Sequence, residues 1–343
     1  MPRHPDDHRH HELTAMSDIH FHHQGLTGEG SRLQAITGWL TETVWSRERY
    51  AGLSSEDYLR KGELAVCDLE ALIAAGAPHV WDELESASAG ATTLADWLGL
   101  SAPLALPSPH AAVVFDGLSL REMPMLLERA AASGFRVKSA RAVATCLPTE
   151  TRSFVEQRLL GKPVSPSDLP GRREFAEKNA QAFYFGQPNS RDNFPVGRSL
   201  LVWSHYPDGL FFDDNARSEQ LFSTFASYIE TIWKCTVQAI PAGVPIVVTS
   251  DHGYVFFGAG GETGALQADA GALLEQSRWR EFPPEDRFPA WHPDLQLVPS
   301  RRLALLRGRI RTRKPGPSSN RLYQHGGFSL METLVPWIEL ERK

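Results

Sequence analysis

Three apolar runs in this chain, "AAVVFDG" (111–117), "RSLLVWSHYPDG" (198–209) and "VPIVVTSDHG" (244–253), are rich in β-branched and aromatic residues, and each ends at or just before an aspartate. Runs of this kind read as buried strands. Between the first two, "SLREMPMLLERAAASG" reads as a helix with Ser119 near its cap and Gly134 past its end, and "FRVKSARAVAT" follows as a further strand. Ala216 to Gln238 is amphipathic, with Leu221, Phe225, Tyr228, Ile229, Ile232 and Val237 able to line one face. Strands alternating with helices predict an α/β fold, a mostly parallel sheet flanked by helices. Such sheets bind ligands outside the carboxyl ends of their strands. Asp116, Asp208 and the Asp251-His252 pair all stand at such ends, which predicts that they converge on one edge.

At 343 residues the chain suits one large α/β domain and a smaller partner. Residues 1–28 carry seven of the 13 histidines (His4, His8, His10, His11, His20, His22, His23) among prolines, acids and glycines, and read as a disordered tail. Residues 29–105 have a helical period, with Ser54 or Ser55 capping a helix that meets Gly76, and form a small helical N-terminal domain closed by the proline-rich "SAPLALPSPH". Residues 106–343 form the α/β domain, with an irregular insertion near 258–320. With 42% apolar and 22% charged residues, and no apolar run near the ~18 residues of a membrane span, a cytoplasmic protein with no membrane partner is expected. Cys67, Cys146 and Cys235 are odd in number and far apart, as for reduced thiols. The net charge of −6 gives no global attraction for nucleic acid.

In "CLPTETRSFVEQRLLGKP" (146–163), a Pro-Thr-x-Thr turn precedes a helix ending before Gly161. A hydroxyl there, on Thr149 or Thr151, is a candidate nucleophile or simply an N-cap. In "HGGFSLMETLVPWIEL" (325–340), His325 precedes two glycines and a helix start at Ser329 with Glu332 three residues on, a capping-box pattern.

The four segments "VVFDGLS", "LPTETRSFVEQRLLGKP", "VVTSDHGYVF" and "HGGFSLMETLVPWIEL", in that order over residues 110–343, resemble the PglZ domain of the alkaline phosphatase superfamily. The resemblance implies an alkaline-phosphatase-like fold and two divalent cations flanking a phosphoryl group. It implies Asp116, Asp251 and His252 at the cation beside the nucleophile, Thr151 as that nucleophile with Thr149 as the alternate, and Asp208 and His325 at the other cation. The superfamily pattern has Asp-x-x-x-His at this last position, whereas this chain reads Asp208-Gly-Leu-Phe-Phe212. A phenylalanine cannot ligate, so His205, Asp213 or Asp214 are the candidate replacements.

Asp and His donors suit zinc or manganese. A divalent cation would offset the charge of a phosphoester and acidify an oxygen. The resulting expectation is a metal-dependent phosphohydrolase, a phosphodiesterase more than a monoesterase. Resemblance to PglZ proteins further implies bacterial anti-phage defence of the BREX type, with nucleic acid or a nucleotide as substrate and other defence proteins as partners. The alternative is a degenerate PglZ domain that acts as a binding or scaffold subunit. Two further features read both ways. Tyr254, Phe256 and Phe257 are either an aromatic wall for a flat group or packing beneath the sheet edge. "RRLALLRGRIRTRK" (301–314), with seven basic residues in 14, is either an arm for a nucleic-acid backbone or an edge strand with a solvated face.

Overall fold

The computed structural model describes residues 31–91, 93–102, 108–211, 221–258, 264–312 and 322–342. The histidine-rich tail, Phe212 and the alternative ligands Asp213 and Asp214 lie outside these residues.

A six-stranded sheet organises the chain. Its strands are β1 (Ala111–Phe115), β2 (Phe135–Ala144), β3 (Ala180–Phe185), β4 (Ser199–Ser204), β5 (Ile246–Thr249) and, after three insertion strands β6 (Trp279–Glu281), β7 (Leu295–Val298) and β8 (Leu303–Leu306), the last strand β9 (Leu334–Arg342). The order across the sheet is β2-β9-β5-β1-β4-β3. β1 pairs in parallel with β4 and β5, and β3 in parallel with β4. β9 runs antiparallel to both β2 and β5. This is the mixed α/β architecture with a mostly parallel, helix-flanked sheet that the sequence predicts. Its period of two is visible in β1. Ala111, Val113 and Phe115 enter one hydrophobic cluster, while Ala112 and Val114 enter the cluster on the opposite face with Trp203 and Trp337.

The single reversed strand matters for function. β1, β2, β4 and β5 point the same way, so their carboxyl ends share one edge. Because β9 is reversed, its amino end lies on that edge too and brings the loop carrying His325 to it. The helix expected at Ser329 lasts one turn, Leu330–Thr333, and then gives way to β9. Ser329 Oγ does accept from the Glu332 amide, but the "LVPWIEL" that follows is apolar and β-prone, and its main chain completes the gap between β2 and β5.

The helices α1 (Arg32–Trp39), α2 (Arg47–Gly52), α3 (Ser55–Gly76) and α4 (His79–Gly90) precede the sheet, with Ser54 capping α3 through the Asp57 amide. Ile36, Trp45, Leu69, Val80 and Trp81 from this region are buried in the same cluster as Val113, Val202 and Val248 of the sheet, so the helices and the sheet share one core. The buried Glu63 of α3 joins them electrostatically: it pairs with Arg121 after β1 and with Arg309 beyond β8. After β1, α5 (Met123–Ala132) begins behind a capping box between Ser119 and Glu122. α6 (Thr151–Val155) continues as a wider turn to Leu160. α7 (Leu221–Cys235) buries Phe222, Phe225, Ile229, Ile232 and Trp233 on one face, while the expected Tyr228 stays 39% exposed.

The basic run 301–314 is neither an edge strand nor an open face where it is described. β8 lies between β6 and β7, with all four residues buried. Arg301 donates to the Leu147 carbonyl, Arg302 to Phe282 and Pro283, Arg307 to Gln296, and Arg309 to Glu63 and the Phe256 carbonyl. Tyr254, Phe256 and Phe257 are each at most 4% exposed, and Tyr254 Oη donates to Glu122, so these aromatics are packing.

Glu70 of α3 is buried; one oxygen accepts from the Leu330 amide and the other, Oε2, has no hydrogen-bond partner. Burial, chiefly, raises its carboxyl from an ordinary 4.5 to about 7. A folded-state acid raised in this way binds more protons than the unfolded chain between those values, so its contribution falls as pH rises through the window. We predict that Glu70→Gln leaves stability unchanged below about pH 4.5 and raises it above pH 7 relative to the parent, by up to roughly 3 kcal/mol, in urea unfolding followed across pH.

Candidate metal and active site

Each carboxyl end contributes through a short loop held by its own hydrogen bonds. After β1, the Asp116 amide donates to the Ser204 carbonyl. Asp116 Oδ2 accepts from Trp203 Nε1 at 3.1 Å, which aims Oδ1 at the next loop. After β5, Ser250 Oγ donates to the Phe115 carbonyl and accepts from the Leu118 amide, tying this loop to the β1 loop. Asp251 Oδ1 accepts from the Gly117 amide at 3.0 Å, and the Asp251 carbonyl accepts from Thr145 Oγ1. His252 Nδ1 lies 3.0 Å from the Gly253 carbonyl, so Nε2 faces the acids, 3.7 Å from Asp116 Oδ1 and 3.5 Å from Asp251 Oδ2. Gly253 is required for this approach, because a Cβ there would sit 2.1 Å from the Met331 carbonyl oxygen. After β4, the Asp208 amide donates to the Asp116 carbonyl at 2.8 Å. From the β9 side, the His325 ring stacks on His252 with centroids 4.2 Å apart, and its Nε2 stands 3.8 Å from Asp208 Oδ1.

The structure therefore brings together Asp116, Asp208, Asp251, His252 and His325 at one edge of the sheet. Thr151, at the first turn of α6, joins them with Oγ1 3.4 Å from both Asp116 Oδ1 and His252 Nε2. Thr149 turns elsewhere. Its buried hydroxyl donates to the Gly327 carbonyl and accepts from the Gly326 amide, so it tethers the His325 loop to the Thr151 turn. His205, one of the three replacements considered for the missing histidine, is the described one, and its Nδ1 is 3.8 Å from Asp116 Oδ2. Two neighbours escaped the sequence reading: Glu150, whose Oε1 accepts from Trp279 Nε1 at 3.1 Å and lies 3.6 Å from His325 Nδ1, and Trp279 itself, on an insertion strand. No local signal in the sequence links position 279 to position 150.

The electrostatics are those of a site built for positive charge. Burial and the neighbouring Asp116 push Asp208 up to about 7 and Asp251 up to about 6. Burial works against a charged His252, but Asp251 and Asp116 outweigh it and raise the imidazole to about 9. Asp208 Oδ1 and Asp251 Oδ2 are buried without a hydrogen-bond partner, a costly state for a carboxylate. Donor atoms fall into three groups, Asp116-Asp251-His252, Asp208-His252-His325 and Asp116-His205-Asp208, each within 4.8 Å. Mixed carboxylate and imidazole donors, two of them orphaned oxygens, fit a divalent cation such as zinc or manganese.

Fold and site thus define a mixed α/β protein with an Asp/His constellation and a hydroxyl at the carboxyl edge of its sheet. No protein-family model matches the sequence, and no curated protein matches it. Among solved structures, the murine ectonucleotide pyrophosphatase/phosphodiesterase 5 is similar over 68% of this chain and 88% of its own, with 16% identity and a TM-score of 0.43. An inactive variant of that protein in complex with AMP gives 15% identity over the same shares with a TM-score of 0.43. Phosphonoacetate hydrolase from Sinorhizobium meliloti 1021, in complex with phosphonoacetate, is similar over 68% of this chain and 89% of its own, with 13% identity and a TM-score of 0.37. No single helix among the described residues is long and apolar enough to cross a membrane.

The pKa shifts fix a sign. The metal-free folded chain holds a proton that the unfolded chain has released on Asp208 between about pH 4 and 7, on Asp251 between about 4 and 6, and on His252 between about 6.5 and 9. In each window the native state binds the extra proton, so these groups lose stability as pH rises. Cation binding needs the same atoms deprotonated. We predict that the melting temperature gained on adding Zn²⁺ or Mn²⁺ grows from pH 5 to pH 8, with a stabilisation of about 2.7 kcal/mol at a hundredfold excess over Kd. Asp251→Asn should remove most of it in the same thermal-shift series.

Proposed function

We propose that this protein is a metal-dependent phosphohydrolase, and within that class a phosphodiesterase with Thr151 as its nucleophile. The observation that carries the reading is the Thr151 hydroxyl, half-buried and 3.4 Å from both Asp116 and His252, at the rim of a buried cluster of acids with uncompensated oxygens. Asp116, Asp251 and His252 would hold one divalent cation, and Asp208 and His325 the other. Bound there, the cations supply charge neutralisation for an anionic ester and acidify nearby oxygens.

The chain's own residues do the rest. Trp203 and the Gly117 amide fix the orientation of Asp116 and Asp251, and Thr145 fixes the main chain between them. The α6 turn presents Thr151 Oγ1 for in-line attack, forming the Oγ–P bond as the bond from phosphorus to the leaving alkoxide breaks. The hydroxyl proton departs toward solvent and the alkoxide takes one up. Water then displaces Oγ1 from phosphorus, which restores the threonine hydroxyl. Thr149 keeps His325 and the Thr151 turn in register.

The resemblance to PglZ domains supports placing this activity in bacterial phage defence, acting on a nucleic acid or nucleotide in the cytoplasm alongside other defence proteins. A stable protein that takes up no cation and hydrolyses no ester would instead favour the scaffold reading.

With bis(p-nitrophenyl) phosphate and Zn²⁺ or Mn²⁺, Thr151→Ala is expected to lower kcat at least about 1000-fold. Thr149→Ala should cost about tenfold, as for loss of a supporting contact. Full activity in Thr151→Ala would overturn the assignment, and faster turnover of p-nitrophenyl phosphate than of the diester would overturn the phosphodiesterase reading.

A further inference from the structure

We propose that His205 is a cation ligand: with Asp116 it forms a further donor group around Asp208, beside the Asp208–His325 group, and the imidazole comes from the residue that follows β4, upstream of Asp208. The inference rests on the cation reading above and adds a donor to it.

Three observations carry it. The ligating atoms of Asp116, His205 and Asp208 lie within 4.8 Å of one another, close enough for small side-chain shifts to bring them onto one cation. Asp208 is buried and belongs to both donor groups, and its Oδ1, 3.8 Å from His325 Nε2, has no hydrogen-bond partner, so the carboxylate the two groups share keeps an acceptor for a cation. Finally, the imidazole is placed by its surroundings. The His205 amide donates to the Phe185 carbonyl at 3.0 Å, and its carbonyl accepts from the Gly209 amide at 2.7 Å, so the main chain curls back under the ring. The ring then lies against Gly209, where a Cβ would come within 2.8 Å of Cδ2 and 3.1 Å of Nε2. Glycine at 209 is what lets the imidazole occupy the space above Asp208.

The arrangement also divides Asp116 between two duties. Oδ1 faces Thr151 and His252, while Oδ2 faces His205. One carboxylate therefore stands between two donor groups. A simple imidazolium–carboxylate pair between His205 and Asp116 would use the same contact but would leave cation binding untouched, which makes the two roles separable.

The experiment is a titration of the metal-stripped full chain with Co²⁺, following visible absorption and counting bound equivalents, with Zn²⁺ competition as a second reading. The readout is the difference between each variant and the parent, so that cation binding elsewhere, including at histidines of residues 1–28, cancels. His205→Ala should lose one tight equivalent or bind it at least about tenfold more weakly, and Gly209→Ala, which removes no donor but displaces the His205 ring, should weaken the same equivalent. Matching melting temperatures of parent and variants in chelator exclude misfolding as the cause. If His205→Ala and Gly209→Ala bind as the parent does while Asp251→Asn loses an equivalent, His205 is no ligand and the cation reading stands. If Asp251→Asn also binds as the parent does, both readings fall.

Discussion

Three carboxylates, Asp116, Asp208 and Asp251, are buried within reach of one another at one edge of a sheet, and the rest of the site is a response to that crowding. Left alone, like charges in a poorly hydrated place protonate, and the raised Asp208 and Asp251 express this tendency. The protein offsets part of it with donors: the indole of Trp203, the Gly117 amide and the imidazoles of His205, His252 and His325. It leaves two oxygens unmet. These two oxygens lie in one cluster beside imidazole nitrogens, an arrangement that suits a bound cation.

The sheet makes the crowding possible. Parallel strands deliver their carboxyl ends to a common edge, and the one reversed strand extends this delivery to a segment far along the chain. Without β9 between β2 and β5, the loop of His325 would have no reason to face Asp208. The tethers between loops, Ser250 to the β1 turn and Thr149 to the glycine pair 326–327, lock the edge into a single geometry.

Much of this was legible in the sequence. Asp116, Asp251 and His252 stand at or within a few residues of the end of a β-branched run, and Asp208 just past the apolar run that ends at Tyr206, so local pattern and chemistry coincide. Thr151 was legible from its place before a helix, though Thr149 could be told apart only by its bond to Gly326, a contact across 177 positions. β9 was hidden because Ser329 and Glu332 announce a helix that lasts one turn before pairing with β2 and β5 takes over. β3, "AQAFYF", passed unnoticed between polar stretches because its strand character is set by β4 alongside it. The arginines of 301–311 look like a surface run, since their acceptors, Glu63, Leu147, Phe282 and Gln296, are scattered along the sequence.

Glu63 gives the leading helices a meaning that their lack of reactive residues conceals. It sits on α3, yet its charge answers Arg121 beyond the Asp116 loop and Arg309 beyond β8, all three fully enclosed. Severing the chain after those helices would strand two guanidinium groups in an apolar interior, where an unmatched charge is poorly tolerated. The front third of the molecule is thus a counter-ion to the remainder, and a fragment trimmed to the α/β portion would be missing part of its own interior.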